Sequence, residues 1–404
     1  MSFRLPYKKN MKIGILSFYY KNDNYGGLLQ AYALQQVMSH YGNCEQICFD
    51  MSVSSKRNKK LRYYIKKIPR KTAEILERIP KRIWNKLVDE KIENSLDKRK
   101  RKFKKFAENI EHSNRIYNVN NIEEMFRKYD IIVVGSDQVW ANWLDDTIFE
   151  VFTLYDTSKK CKTFSYAASI GSKKIKKEHK EILQQNLEHF VSVSLREKTS
   201  KKEVEKLLKN NIPQSVLDPT MLLEKSEWDL IEKGREENKK YIFCYLLGKS
   251  IVNRRIVSQI AKKLEMEIVF FPYSTMNEFQ WQDTLIGGKK IYDADPEEFI
   301  HVIKNAELVI TDSFHAMVFS CIYRKKFFVL MRDNKNPQNT MNSRIRDYLE
   351  MFNLKRALIK YRDLKKINDL LEQEWYTDMN KILEYEIDQS KLFIATTINN
   401  IYNM

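Results

Sequence analysis

The feature that most constrains this chain is the alternation of short, almost wholly apolar runs with stretches of helical periodicity. A run without polar gaps suits a strand buried on both faces, and alternation with helices suits parallel pairing. Such runs stand at Met11–Phe18, Gln46–Phe49, Asp130–Val134, Thr163–Ala167 and Ser192–Leu195, with helical patterns at about 27–40, 121–128, 175–190 and 197–209. A second block has strand patterns at Tyr241–Leu247, Glu267–Phe271, Glu307–Ile310 and Phe327–Met331, with the run KKIYD after the second of them. Its helices are expected near 251–264, after the cap signal Asp295-Pro296-Glu297-Glu298, and from the segment TDSFHAMVFSCIYR onward. The pattern predicts an α/β protein of two Rossmann-like domains facing a cleft, with ligands at the carboxyl ends of the strands. The join falls around Ser215–Leu223, so the expected domains are 11–215 and 216–334, followed by a helical segment over 335–404.

Charge is far less regular. The 404 residues include 71 Lys or Arg and 53 Asp or Glu, a formal +18, yet residues 51–110 alone hold 21 cations against 7 anions. Among those cations Leu61, Ile65, Ile68, Ile75, Leu76, Ile79, Ile83, Trp84, Leu87 and Val88 recur at helical spacing. A basic helical insertion in the first domain is expected, either packed as a solvated element on the main fold or docked on an anionic membrane surface. Nucleic acid is disfavoured, since no reader motif accompanies the charge. No run approaches the roughly 18 apolar residues of a membrane span, and the start MSFRLPYKKN lacks a signal peptide's apolar middle. The expected location is the cytoplasm, including its membrane face. Five cysteines scattered through apolar stretches are expected as free structural thiols, and no metal-ligand cluster is visible.

Four segments could carry chemistry. In Thr311-Asp312-Ser313-Phe314-His315 a strand gives way to a helix whose N-terminus could hold an anion beside an imidazole able to deliver a proton near neutral pH. In Ser194-Leu195-Arg196-Glu197 a guanidinium at a strand end could grip a phosphate or carboxylate in two places. Gly135-Ser136-Asp137-Gln138-Val139-Trp140 offers close backbone approach, a carboxylate for base work and an indole face for a sugar ring. Asn24-Tyr25-Gly26-Gly27 opens a helix with paired glycines but matches neither a phosphate loop nor a dinucleotide fingerprint. Each segment also has an ordinary structural use: a helix cap, a satisfied buried histidine, a surface ion pair, a core tryptophan.

Taken in order, six strings resemble the polysaccharide pyruvyl transferase family: NYGGLLQAYAL from Asn24, GSDQVW from Gly135, SLRE from Ser194, DPT from Asp218, TDSFHA from Thr311 and NSRIRDYL from Asn342. The resemblance spans roughly residues 11–349. It implies a GT-B-like architecture with an acceptor side in the first domain and a donor side in the second. It implies phosphoenolpyruvate as donor, no cofactor, and a cyclic pyruvate ketal on a sugar of a surface polysaccharide or its lipid-linked or nucleotide-linked precursor. His315 then corresponds to a histidine general acid, Arg196 to an arginine holding the donor anion, and Asp137 to an acidic residue of the N-terminal domain. Ser313, Phe314, Gly26, Gly27, Gly135, Ser136 and Trp140 line the expected substrate site. Some family members have Arg two residues before the histidine, where this chain has Ser313; Arg344, with Arg346 behind it, is the expected substitute cation.

Two other readings fit the same residues. A GT-B-type glycosyltransferase would use the arginines on a nucleotide sugar's diphosphate. A non-enzymatic basic protein would use residues 51–110 on lipid or nucleic acid.

Overall fold

The computed structural model describes residues 11–53, 90–235, 239–275, 278–332 and 342–404. The first half runs β1 (Lys12–Leu16), α1 (Tyr25–Met38), β2 (Asn43–Gln46), α2 (Glu90–Glu108), α3 (Ile122–Lys128), β3 (Ile131–Val134), α4 (Asp146–Val151), β4 (Lys162–Ser165), α5 (Lys177–Asn186), β5 (Ser194–Leu195), α6 (Lys198–Glu205) and β6 (Gln214–Ser215). The second half runs α7 (Lys225–Asp229), β7 (Tyr241–Tyr245), α8 (Ile251–Leu264), β8 (Glu267–Phe270), β9 (Ser274–Thr275), β10 (Glu278–Phe279), β11 (Lys289–Lys290), α9 (Pro296–Asn305), β12 (Leu308–Thr311), α10 (Phe314–Ile322) and β13 (Phe327–Val329). Helices α11 (Asn342–Met351), α12 (Ile367–Glu372) and α13 (Thr377–Tyr402) complete the chain.

Apolar runs become parallel strands, as expected of segments covered on both faces. The first sheet has the order β2-β1-β3-β4, and the second β11-β8-β7-β12-β13. All pairings within these two sheets are parallel. β5 and β6 form a short parallel ladder, which a bridge between Ala168 and Leu195 ties to the chain following β4. The fold is therefore α/β with two Rossmann-like halves.

Most elements lie within a few residues of their expected places, and the exceptions have local causes. Helix α1 starts at Tyr25 because the Asn24 side chain accepts a hydrogen bond from the Gly27 N–H at 3.1 Å. Asp295 caps α9 through the Glu298 N–H at 2.8 Å. Strand β2 is displaced toward the N-terminus from the expected Gln46–Phe49, since that stretch turns to run beside residues 112–117 through bridges Gln46 to His112 and Phe49 to Tyr117.

Within the basic segment, residues 54–89 lie outside the described residues, and with them the helical pattern expected from Leu61 to Val88. Helix α2 is packed on the main fold: Phe103 and Phe106 enter the core, and Lys98 and Lys102 reach Asp293 and Glu298 at 2.8 and 2.5 Å. A basic helix of the first half is thus paired with acidic residues of the second. Helix α13 crosses the other way: its Ser390 hydroxyl accepts from the Leu217 N–H at 2.9 Å, and Phe393 packs edge-on to Phe164 of β4. Among the described residues no helix is long and apolar enough to cross a membrane. All five cysteines are buried and free.

Candidate active site

Three strand ends supply the chemistry. After β3, Gly135 takes a backbone conformation with φ of 116°, and a side chain there would collide with the Tyr166 carbonyl. Asp137 follows with φ of 70°, its carbonyl accepting from the Ser169 N–H at 2.9 Å. After β5 comes Arg196. After β12 the chain enters α10, whose N-cap is Ser313 and whose second residue is His315.

These residues converge on Asp218, just past β6. Its Oδ1 accepts from the Thr220 N–H and hydroxyl at 3.0 and 2.6 Å, which orients Oδ2 toward the other groups. That Oδ2 accepts from Arg196 Nη1 at 2.5 Å and lies 3.5 Å from His315 Nε2. The Asp218 N–H donates to the Tyr348 hydroxyl at 2.7 Å, so α11 also supports it. At 3.5 Å the imidazole is held loosely, and His315 Nε2 is buried with no hydrogen-bond partner.

Arg196 is fully buried and surrounded by carboxylates. Besides Asp218, its Nη2 donates to Asp137 at 3.2 Å and its Nε to Glu197 at 3.3 Å. Burial opposes its charge, but Asp218, Glu197 and Asp137 outweigh burial and raise its pKa. Burial likewise works against ionisation of Asp218, yet Arg196 and His315 hold its carboxyl well below the ordinary range. Asp137 is also lowered against its own burial, by Arg196, His315 and Arg344. Arg344 is the contrasting case. Burial, reinforced by Arg196 and Arg332, pushes its guanidinium down to about 10, although Asp137 is 3.6 Å away. An anion arriving beside Arg344 would reverse that penalty.

The expected site residues therefore separate. Asp137, Arg196, His315 and Arg344 come together, with Phe314 buried beneath both guanidinium groups at 4.3 and 5.5 Å from its ring centre. Phe314 is a floor for the arginines and offers no face to a substrate. Gly26 lies against His315 so closely that a methyl group would overlap the imidazole, and Gly27 is packed against Asn22. Ser136 is buried, its hydroxyl lacking a hydrogen-bond partner. Two further expectations need correction. Trp140 is a core residue, its indole N–H donating to the Phe152 carbonyl at 2.9 Å, so it cannot stack on a sugar. Arg196 does not extend a free fork to a ligand, because protein carboxylates already occupy both of its terminal nitrogens. Among the described residues no group of three or more His, Cys, Asp and Glu could hold a metal ion.

This arrangement accompanies a match between residues 24–334 and the family model for polysaccharide pyruvyl transferase. The chain belongs to that family. It is accordingly a transferase. Among solved structures the transferase resembles UDP-GlcNAc 2-epimerase from Methanocaldococcus jannaschii, with TM-score 0.51 and 12% identity over 93% of this chain and 100% of that one. It also resembles a Listeria monocytogenes chain assigned as a UDP-N-acetylglucosamine 2-epimerase, with TM-score 0.53 and 10% identity over 97% of each chain. At such identity the likeness concerns the GT-B fold alone. No curated protein matches the chain significantly.

Three residues of the transferase's site escaped sequence reasoning: Asp218, Glu197 and Tyr348. Asp218 stood in the DPT string, which marked the join and contributed to the resemblance, but it carried no expected role at the site. A buried-strand pattern that ends in Arg196 and Glu197 was the available signal, since a buried guanidinium with several donors needs more acceptors than the one adjacent carboxylate supplies.

Proposed function

We propose that this transferase moves the enolpyruvyl group of phosphoenolpyruvate onto a saccharide of surface-polysaccharide assembly, forming a cyclic pyruvate ketal across two hydroxyls of one sugar. The observation that carries the proposal is the meeting of Arg196 and His315, from opposite halves of the chain, on one oxygen of Asp218, with Arg344 beside Asp137.

His315 serves as general acid, giving a proton to the methylene carbon of the donor, whose π electrons form the new C–H bond. The adjacent carbon becomes electrophilic, and a sugar hydroxyl bonds to it while its proton passes to Asp137. In the resting site Asp137 is a weak base because of its cationic neighbours. The multiply charged donor competes for Arg344 and so makes Asp137 more basic at the step that needs it. The bond to phosphate then breaks with its electron pair, and Arg344 stabilises the departing charge. A second hydroxyl of the same sugar closes the ketal. Its proton returns to His315, and the proton held by Asp137 leaves with phosphate. Arg196 acts through Asp218 and Asp137, holding both carboxylates in place.

The remainder of the basic segment, residues 54–89, retains the role of bringing the enzyme to an anionic membrane face where a lipid-linked acceptor resides. Sedimentation with vesicles of anionic and of neutral lipid tests that role: equal binding to both removes it.

The test of the reaction is incubation with phosphoenolpyruvate and candidate saccharides, following phosphate release and a product heavier by pyruvate less one water. His315→Gln is expected to abolish both signals. Undiminished ketal formation by that variant would remove His315 from the mechanism, and turnover of a nucleotide sugar in place of phosphoenolpyruvate would replace the proposal with glycosyl transfer.

A further inference from the structure

Of the five described tryptophans, Trp140, Trp228 and Trp375 are buried, whereas Trp281 is 37% and Trp143 59% exposed. Trp143 is nevertheless held in place. Its ring stacks on Phe18 with centroids 5.6 Å apart and planes at 25°, and Phe18 in turn meets the buried Phe152 edge-on at 5.1 Å. The preceding Asn142 ties the loop down, donating to the Ser172 hydroxyl at 2.8 Å and the Lys174 carbonyl at 2.7 Å, and accepting from the Lys176 N–H at 3.0 Å. The following Leu144 is buried. An indole fixed in this way loses little freedom when something lands on it.

Its position is equally specific. Phe18 lies two residues past β1, and Trp143 is on the same connection after β3 that carries Asp137. Both rings therefore belong to the carboxyl edge of the first sheet, where ligands of such sheets bind. The Phe18 carbonyl accepts from the Asn22 side chain, and Asn22 Oδ1 accepts from the N–H of Asn24, the cap of the helix whose Gly26 touches His315. The aromatic pair at this rim is thus linked through Asn22 and Asn24 to the helix turn that packs against the imidazole.

We infer that the Trp143 indole, stacked on Phe18, is a landing face for a pyranose ring of the acceptor saccharide. The choice of ligand rests on the pyruvyl transfer proposed above. A pyranose presents a flat face of C–H groups with hydroxyls at its margin, so it covers an indole while leaving its polar groups to water or to the rim. That rim carries Lys21 and Asp50, paired at 2.9 Å on the loops after β1 and β2. The sugar seated on Trp143 is either the reacting residue or its neighbour in the acceptor. The function expected of Trp140 passes to the tryptophan three residues later.

The experiment has two arms on the full chain. In the first, protein labelled with 5-fluorotryptophan is titrated, without donor, with methyl β-glycosides of glucose, galactose and mannose and of their 2-acetamido counterparts. The ¹⁹F resonance of Trp143, identified by its loss in Trp143→Phe, is expected to shift with at least one of them while the core tryptophans stay still. In the second, acceptor and donor KM are measured for wild type, Trp143→Ala and Trp143→Tyr. Trp143→Ala is expected to raise acceptor KM about tenfold with donor KM unchanged, and Trp143→Tyr to recover most of the loss because it restores a ring. A Trp143 resonance that responds to none of the sugars, or an unchanged acceptor KM in Trp143→Ala, overturns the inference. Because the first arm involves no chemistry, a shift there without any phosphoenolpyruvate turnover would refute pyruvyl transfer while leaving the sugar face standing.

Discussion

Gly26 and His315 belong to opposite halves of the chain, yet a methyl group on Gly26 would overlap the His315 imidazole, Nδ1 first. The N-terminal turn of α1 is therefore one wall of the histidine's site. Gly26→Ala gains about 0.5–1 kcal/mol of helix propensity but has to displace the ring or part the two halves, a packing conflict of about 1–3 kcal/mol. The expected result is a modest fall in melting temperature with turnover down about a hundredfold, the scale for a catalytic group moved by roughly 1 Å. Wild-type turnover in Gly26→Ala would mean that His315 tolerates displacement. Parallel thermal unfolding and phosphate-release measurements check both halves of the expectation.

Arg344 is a cation whose surroundings disfavour its charge, with burial and two neighbouring arginines lowering it to about 10. A donor anion at this position should bind tighter because of it, so Arg344→Gln is expected to raise donor KM about tenfold to a hundredfold. Stability should fall little or rise, since a disfavoured buried charge is removed. Arg346→Gln, one residue beyond Ile345 on the same helix and exposed, should leave donor KM unchanged. Steady-state kinetics in phosphoenolpyruvate with urea unfolding of each variant separates the two effects.

Arg99 couples the basic helix to the active-site rim. Its guanidinium lies 5.0 Å over Tyr25 and 4.1 Å over Phe103, and it donates to the Asp23 carbonyl at 2.8 Å. Tyr25 itself donates to the Ala294 carbonyl of the second half at 3.0 Å. Arg99→Lys keeps the charge but loses the flat stacking surface, and a loss of about 2 kcal/mol is expected, with reduced turnover through the loosened turn before Gly26. Denaturant unfolding measures the first effect, and phosphate release the second.

His179 sets an acid limit. It is buried, stacked on Phe149 with ring centres 3.5 Å apart, and neither ring nitrogen has a hydrogen-bond partner. Burial, with a smaller effect from Lys176, lowers its pKa from 6.5 to about 4, against the opposing pull of Asp146 and Glu178. Between those values the unfolded chain binds more protons than the folded one. Stability from this residue is therefore complete above about pH 6.5 and is lost as pH falls toward 4. His179→Phe should flatten the decline in melting temperature over that interval, which calorimetry at a series of pH values would register.

Much of the architecture could be read from local pattern. The runs at Ile131–Val134, Tyr241–Tyr245 and Leu308–Thr311 are strands because nothing polar interrupts them, and Asp295 as cap with Pro296 as first helical residue announces the start of α9. The meeting of Arg196 and His315 at one site was legible too, since each follows the carboxyl end of a parallel strand. What local pattern misjudged was the direction and partner of individual side chains. Trp140 and Trp143 stand on one connection with similar surroundings in sequence, yet one fills the core and the other faces solvent.

By itself, the sequence determined the two parallel sheets, the helix starts and the residue types delivered to the strand ends, because periodicity and capping act over a few residues. Only the tertiary structure decided which charges neutralise each other. Arg196 finds Asp137 and Asp218 at separations of 59 and 22 residues, and His315 reaches the same Asp218 from the end of β12. The physical reason is that a buried charge is stabilised by whatever lies within a few ångströms, and that neighbourhood exists only once distant strands have packed together.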